Sequence, residues 1–127
     1  MKAATRQWVD MAEAAYAPAI LMRRSRKKYS RDIVCFHLQQ CMEKYLKARL
    51  VEAAIVFPKT HDLERLLDLT VGVEPLWAAL RPAMAAITDH AVEIRYPGRT
   101  VSPVEARALF RATTRARGVI RQRLGLS

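Results

Sequence analysis

The stretch from Phe36 to Ala48, which reads FHLQQCMEKYLKA, constrains the fold of this chain more than any other. An α-helix turns by about 100° per residue, and on such a helix the apolar residues of this stretch spread over a wide arc. A narrow polar arc of about 80°, the polar seam, holds His37, Gln40, Lys44 and Lys47. Gln39 and Glu43 lie beside the polar seam, one turn apart. The pattern therefore predicts a helix that is apolar over most of its surface.

Spacing alone leaves two interpretations of the polar seam open. The simpler one is a solvated face, supported by side-chain pairs four residues apart. The other is a recognition surface, because the seam and the residues beside it combine an imidazole, amides, a carboxylate and two ammonium groups. A face that serves only solubility would more often repeat Glu and Lys.

Length and composition indicate one globular domain with a basic surface. The chain has 127 residues, of which 51% are hydrophobic and 27% charged, which is typical of a folded chain with a single core. Its 22 Lys and Arg against 12 Asp and Glu give a net charge of +10. Such an excess favours polyanions, which include nucleic acid, nucleotides, acidic proteins and anionic lipid. A role in solubility alone is the simplest alternative.

Cysteine and hydropathy patterns indicate a cytoplasmic protein without metal or cofactor. On one helix, Cys35 and Cys41 would lie about 9 Å apart along the axis, which is too far for a disulfide. We expect both to be reduced thiols. No Cys and His spacing resembles a zinc site, and no apolar run approaches the length of a membrane span.

Apolar residues at helical spacing, and the breakers between them, predict five helices. The predicted helices span about residues 5–22, 30–54, 61–71, 75–93 and 102–124. Pro18 is expected to kink the first of these or to leave it loosely bonded there, and Pro82 is expected to bend the fourth. Four long helices and one short helix, with short connections, predict an all-α domain over residues 1–127. Its expected architecture is an antiparallel up-and-down four-helix bundle with one short additional helix.

Three hydroxyl residues are expected to cap helices. Ser30 is a plausible N-cap with Asp32 in the first turn, and Thr60 is expected to cap a helix that starts at His61. Ser102, followed by a first-turn proline and by Glu105, forms a near-complete helix start signal.

Two basic groups lie outside the polar seam. Six of the ten residues from Arg23 to Asp32 are basic: Arg23, Arg24, Arg26, Lys27, Lys28 and Arg31. We expect a solvated helix end or loop there, and the excess of charge makes it a candidate phosphate-attracting patch. Arg107, Arg111 and Arg115 form a stripe on the last helix, which we interpret as a solvated face.

Three motifs, in this order and spacing, closely resemble the prokaryotic HEPN domains. They are FHLQQCMEKYLKA at 36–48, FPKTHDL at 57–63 and RYPG at 95–98, and the similarity extends from about Trp8 to Leu124. The resemblance implies an all-α up-and-down bundle that is usually a homodimer. It also implies a partner, since such chains are often encoded beside a minimal nucleotidyltransferase as toxin–antitoxin pairs. Many activities proposed for the family concern RNA or nucleotides.

Some branches of this family are metal-independent ribonucleases, and this chain departs from their pattern. They carry an arginine followed, after four to six residues, by a histidine near the start of the last helix. No histidine follows Arg95 or Arg99, and His90 precedes Arg95. Arg31 and His37 have a matching spacing but lie at the head of the second helix. Whether the chain is an enzyme therefore stays open, with His37, His61 and Arg95 as candidate catalytic residues.

The matched motifs and the polar seam together predict a phosphate-binding cleft. Its predicted residues are His37, Gln40, Lys44, Lys47, Lys59, His61, Arg95 and Tyr96. Alternatives exist for several of them. Asp62 and Thr60 can serve as caps alone, and His61 can be a hydrogen-bonded interhelical histidine. Arg95 can pair with Glu43 instead of a phosphate, and Tyr96 can stack on a base or plug the core end.

Three functional hypotheses follow from the sequence. The first is a nucleotide- or RNA-binding component, a toxin, of a two-gene toxin–antitoxin type system with a nucleotidyltransferase partner. The second is a metal-independent endoribonuclease that uses histidine and arginine. The third is a non-catalytic homodimerisation or interaction module, in which the polar seam is an interface.

Overall fold

Helices form the regular structure of this chain, which the computed structural model describes over residues 1–93 and 96–127. The α-helices are α1 (Ala3–Met22), α2 (Lys28–Glu52), α3 (Leu63–Val71), α4 (Arg81–Glu93) and α5 (Pro103–Arg123). A 3-10 helix, Pro75–Leu80, precedes α4. Those described residues contain no strand, so the all-α prediction is confirmed. None of the helices described is long and apolar enough to cross a membrane.

The central helix is α2, which packs against α1, α3, α4 and α5. Side chains on most of its circumference are fully buried: Leu38, Cys41, Met42, Tyr45, Leu46, Ala48 and Leu50. This burial matches the wide apolar arc expected from the sequence. Cys35 and Cys41 are buried free thiols. Burial raises the pKa of the Cys35 thiol to about 12 and also raises that of Cys41, so both stay protonated at neutral pH.

A carboxylate on α1 joins three helices. Glu13 accepts hydrogen bonds from Tyr45 Oη of α2 and from Arg117 of α5, whose Nε and Nη2 lie 2.8 and 2.5 Å from it. Burial raises the pKa of Glu13, but the bonds from Arg117 and Tyr45 outweigh it and leave that pKa below its usual value. Tyr16 Oη and Thr114 Oγ1 form a further link at 2.7 Å. These bonds fix α5 against α1.

The start of α2 differs from the prediction that Ser30 is its N-cap. The helix begins at Lys28, and the capping position, Lys27, makes no side-chain cap bond. Ser30 is buried instead, where its hydroxyl bonds to Ser25 Oγ at 2.8 Å. Asp32 accepts from the backbone of the segment before α5, at Val101 N, 3.2 Å away. The polar residues at this end therefore tie α2 to neighbouring loops.

The start of α3 corrects a second cap. Thr60 was expected to cap a helix beginning at His61, but the N-cap is Asp62 and α3 begins at Leu63. The Asp62 carboxylate accepts from the backbone N–H groups of Glu64 and Arg65 at 3.1 and 3.3 Å. Capping by Asp62 leaves His61 just outside the helix.

The two helix prolines and the predicted capping box have these positions in the structure. Pro82 does not bend one continuous helix, because it lies where the 3-10 helix gives way to α4. Pro18 lies inside α1, which continues past it. At the start of α5 the predicted capping box is present: Glu105 N donates to Ser102 Oγ at 3.1 Å, and Ser102 N donates to Glu105 Oε1 at 3.3 Å.

Candidate functional site

A buried carboxylate organises the polar side of α2. Glu43 is 0% exposed. Its Oε2 accepts from Lys44 Nζ at 2.7 Å and from Lys47 Nζ at 3.1 Å. Its Oε1 lies 2.6 Å from His61 Nδ1, across the gap to the segment before α3. These four residues, the Glu43 cluster, unite two members of the polar seam with the histidine of the second motif.

The ionisation of Glu43 determines the tautomer of His61. Burial raises the pKa of Glu43, but the hydrogen bonds from Lys44, His61 and Lys47 outweigh it and hold the pKa below its usual range. The carboxylate is therefore ionised at neutral pH and can only accept hydrogen bonds. Consequently His61 Nδ1 donates its proton to Glu43 in this contact, and Nε2 is the ring nitrogen that Glu43 does not engage.

The His61 ring is exposed even though its partner is buried. Its side chain is 78% exposed. The backbone on the same residue is fixed, because Gln39 Nε2 donates to His61 O at 2.8 Å. Among the described residues, Nε2 has no hydrogen-bond partner. A ring this exposed gains little from packing, so the bond to Glu43 acts mainly by orienting it.

Two aromatic rings flank the lysines of the Glu43 cluster. Lys44 Nζ and Lys47 Nζ lie 5.6 and 5.5 Å from the Trp8 ring centroid, and Lys47 Nζ lies 5.9 Å from that of Phe57. The two rings meet edge to face at 6.1 Å. Cations above aromatic faces gain about 0.5–1 kcal/mol or more. The lysines are therefore held by the carboxylate and by the rings, with 16% and 7% of their side chains exposed.

The other predicted residues of α2, His37 and Gln40, form no hydrogen bond with the described Glu43 cluster. His37 is six residues before Glu43, about 9 Å along the helix axis, and its ring contacts that of Phe36 at a centroid distance of 5.6 Å. Gln40 is partly buried. Neither forms a hydrogen bond through its side chain in the part of the chain that is described.

The remaining predicted residues follow α2 in the chain. Lys59 is exposed two residues before His61, and Tyr96 is exposed after α4. Arg95 lies outside the described residues, and so does its predicted pairing with Glu43. The structure thus brings together Lys44, Lys47 and His61 through the carboxylate of Glu43, which helical spacing puts beside the polar seam.

A second polar region is a cavity of about 590 Å³ between the α1–α2 segment and α5. Six arginines line this cavity, the arginine pocket: Arg23, Arg24, Arg26, Arg31, Arg107 and Arg111. No Asp or Glu is among its described lining residues. The pocket joins the predicted phosphate-attracting patch to two members of the arginine stripe on α5. Arg115, the third member, does not line it.

The floor of the arginine pocket is apolar. Met22, Val34, Ala106 and Phe110 contribute to it. The Arg23 guanidinium lies 5.3 Å from the Phe110 ring centroid. Arg31 Nε donates to Val101 O at 2.8 Å, which fixes that side chain. None of the six arginines forms an ion pair with the side chains that the structure describes, those of residues 1–92 and 96–127.

The third histidine has a structural position. His90 Nδ1 lies 2.8 Å from Ala86 O, and Nε2 lies 2.6 Å from Glu105 Oε2. The bond from His90 is the main reason why the pKa of Glu105 is lowered. His90 therefore connects α4 to the capping box of α5. Across the described part of the chain, no group of three His, Cys, Asp or Glu residues is arranged to hold a metal ion.

Comparison with known proteins identifies the family. Neither the curated proteins nor the solved structures gave a significant match. A family model described as the HEPN domain matches residues 5–122, which is nearly the whole chain. The match includes all five α-helices almost completely, the Glu43 cluster and the arginine pocket. The chain belongs to the HEPN domain family.

Proposed function

We propose that this chain is the nucleotide- or RNA-binding component, the toxin, of a two-gene toxin–antitoxin pair whose other member is a minimal nucleotidyltransferase. Membership of the HEPN family supports a role connected with nucleotides or RNA. The proposal includes a cytoplasmic homodimer and an antiparallel up-and-down arrangement of the four long helices. The net charge of +10 is suited to a polyanionic ligand.

The observation that carries the binding proposal is the 2.6 Å contact between Glu43 Oε1 and His61 Nδ1. A fully buried carboxylate loses its hydration, and the two lysines already repay part of that cost. The third hydrogen bond comes from the His61 ring, which it orients although the ring stays exposed. Such a fixed, accessible imidazole is the form of histidine used to contact a ligand.

The surroundings of His61 favour an anionic group. The Glu43 cluster contains two ammonium groups and one carboxylate, so its formal charge is positive even when His61 is neutral. A phosphodiester oxygen at Nε2 would share the proton of the imidazolium form. Lys59 adds a nearby cation, and His37, Gln40, Arg95 and Tyr96 complete the proposed contacts along the polar seam.

Calorimetry with a short single-stranded RNA that carries a 5′-hydroxyl, and with AMP, tests this site. Replacing His61 by Ala removes one charge-assisted hydrogen bond, so we expect affinity to fall about tenfold or more. Gln122→Ala, an exposed change at the far end of α5, is the matched control. Equal affinities of the two variants would contradict the assignment of His61.

The same contact favours a second candidate function, a metal-independent endoribonuclease. With Nδ1 bound to Glu43, Nε2 of His61 is placed to remove or return a proton during phosphodiester cleavage. The expected result is RNA cleavage in the presence of EDTA that is lost in His61→Ala and reduced in Glu43→Gln. Unchanged cleavage in folded His61→Ala would exclude this histidine as the catalytic group.

The partner and toxin parts of the proposal have separate tests. Expression of the chain alone should arrest growth, and coexpression with the nucleotidyltransferase encoded beside it should restore growth. No arrest, or no rescue, would contradict the toxin–antitoxin assignment. A Lys44/Lys47 double variant that changed the oligomeric state without altering nucleotide binding would instead favour an interaction module.

A further inference from the structure

The arginine pocket concentrates positive charge that the described protein does not neutralise. Like charges around one cavity repel each other, and this repulsion disfavours the folded chain. Elsewhere, some cations have a carboxylate partner, as Arg117 has in Glu13 and Lys47 in Glu43, while other cations without an ion pair among the described side chains, such as Arg6 and Arg115, do not line this cavity. Six arginines around one cavity, with no Asp or Glu among its described lining residues, are suited to an anion that is not part of the chain.

The guanidinium groups suit phosphate in particular. Arginine offers planar, bidentate donors that match phosphate oxygens, and it stays charged at all physiological pH values. Six of them around one cavity complement a ligand with several negative charges better than a single phosphate. The chain holds them from two directions, since four come from residues 23–31 and two, Arg107 and Arg111, come from α5.

The shape and floor of the pocket indicate what accompanies the phosphates. A volume of about 590 Å³ lies within the range of about 300–1,000 Å³ that small-molecule sites occupy. Met22, Val34 and Phe110 give the floor an apolar surface, and Arg23 lies beside the Phe110 ring. Aromatic rings and guanidinium planes are both surfaces on which nucleobases stack.

We propose that the arginine pocket is a binding site for a nucleoside polyphosphate, either a free nucleotide or the 5′-triphosphate end of an RNA. The phosphates contact the arginines from both segments, and the nucleoside lies against the apolar floor near Phe110. This site is separate from the Glu43 cluster: Arg31 and Glu43 are twelve residues apart on α2, about 18 Å along its axis. The inference does not depend on His61.

The test compares ligands that contain a polyphosphate, a nucleoside or both. Calorimetry at about 50 mM salt would use inorganic tripolyphosphate, ATP, AMP and adenosine. We expect ATP to bind most tightly, tripolyphosphate next, AMP weakly and adenosine not detectably, and we expect added salt to weaken binding. Absence of tripolyphosphate and ATP binding, or equal binding of adenosine and ATP, would overturn the proposal.

Matched variants locate the site. Arg24→Gln/Arg107→Gln removes two exposed arginines of the pocket, and Arg6→Gln/Arg115→Gln removes the same charge elsewhere. At about tenfold for each charge-assisted bond, the first pair should weaken ATP binding about 100-fold, and the second less than about threefold. Similar losses in both pairs would mean that only net charge matters, which would overturn the site.

Two further arms separate this inference from the proposed function and identify the ligand source. His61→Ala should leave polyphosphate binding intact, whereas loss of that binding in His61→Ala but not in the pocket variant would overturn the inference. An RNA with a 5′-triphosphate should bind more tightly than the same RNA with a 5′-hydroxyl, and the pocket variant should abolish the difference. The tighter binding of ATP or of triphosphorylated RNA identifies the ligand class that the pocket prefers.

Discussion

The Glu43 cluster and the arginine pocket both gather cations, but they treat those cations in opposite ways. In the cluster, one buried carboxylate accepts from Lys44, Lys47 and His61, and aromatic rings cover the lysines. In the pocket, six arginines surround an apolar floor, and no carboxylate is among the described lining residues. The cations of the cluster are thus paired with a carboxylate of the chain, whereas the arginines of the pocket have no such partner among the described side chains.

The difference separates structural charge from charge available to a ligand. Lys44 and Lys47 were expected to bind phosphate, yet each already has a partner at 2.7 or 3.1 Å. Arg107 and Arg111 were interpreted as a solvated face, yet they line a cavity with other arginines. Removing a cation should therefore destabilise the cluster and should not destabilise the pocket. Four predictions follow from that contrast.

The largest effect is expected for Glu43→Gln. Removing the carboxylate leaves Lys47 buried without its counterion, and breaking a buried pair in this way costs about 3–5 kcal/mol. The measurement is urea unfolding at pH 7. Glu64→Gln breaks a surface contact of 3.9 Å with Arg81 and should cost less than about 1 kcal/mol.

The pH dependence of Glu43→Gln has a definite sign. Because the folded-state pKa of Glu43 is lowered, its stabilisation is present above the unfolded pKa of about 4.3. It is lost as the pH falls through the lower folded-state value. The difference in unfolding free energy between wild type and variant should thus be greatest near neutral pH and should shrink below about pH 4. A difference that stayed constant to pH 3 would contradict an ionised Glu43.

A smaller loss is expected for Lys47→Met. The substitution keeps the apolar stem but removes the hydrogen bond to Glu43 and the contacts with the Trp8 and Phe57 rings. A bond to a charged group contributes about 1.5–3 kcal/mol, and we expect a loss of that size in urea unfolding. Lys59→Met, at an exposed position, should change stability by less than about 0.5 kcal/mol.

The third effect is a gain of stability on adding an anion. A ligand that binds only the folded chain, at a free concentration ten times its Kd, stabilises by about 1.4 kcal/mol. Tripolyphosphate should therefore raise the Tm of wild type and of Arg6→Gln/Arg115→Gln. The Tm of Arg24→Gln/Arg107→Gln should respond much less at the same concentration. Equal rises in all three would show that the anion acts without a specific pocket.

The smallest effect is expected for Arg107→Gln alone, the one substitution of the three that should not lower stability. Without ligand, removing one arginine relieves repulsion, so stability should stay equal or increase by a few tenths of a kcal/mol. The gain should fade as salt rises, because screening at about 0.1 M acts over about 10 Å. A loss above about 1 kcal/mol would mean that Arg107 has a structural partner and would weaken the contrast.

Local sequence signals predicted the helices well where they are specific. The Ser102–Glu105 capping box was found as expected, and so was the wide apolar arc of α2. The prediction that Ser30 is an N-cap was wrong, because a hydroxyl near the start of a helix can also lie in the interior, as that of Ser30 does beside Ser25. Pro82 was expected to bend a helix. It lies instead in the first turn of α4, directly after the 3-10 helix, where an α-helix tolerates the missing backbone N–H of proline.

The candidate site depends on contacts that sequence spacing does not encode. Glu43 lies beside the polar seam on a helical wheel, and its burial and its contact with His61 appear only in the folded chain. The arginine pocket brings Arg24 and Arg107 together across more than half of the chain. The excess of arginine in residues 23–31 was the available signal, but only the tertiary fold supplies its second wall.

The most direct test of the central contrast is an NMR titration of the wild-type chain with inorganic tripolyphosphate. It would follow the Nε–Hε signals of arginine side chains together with the imidazole signals of His61. We predict that the signals of Arg24 and Arg107 shift at the lowest concentrations, before those of His61, and that the signal of Arg115 does not shift with them. Shifts that began at His61, or that were equal for Arg107 and Arg115, would contradict the division between satisfied and available charge.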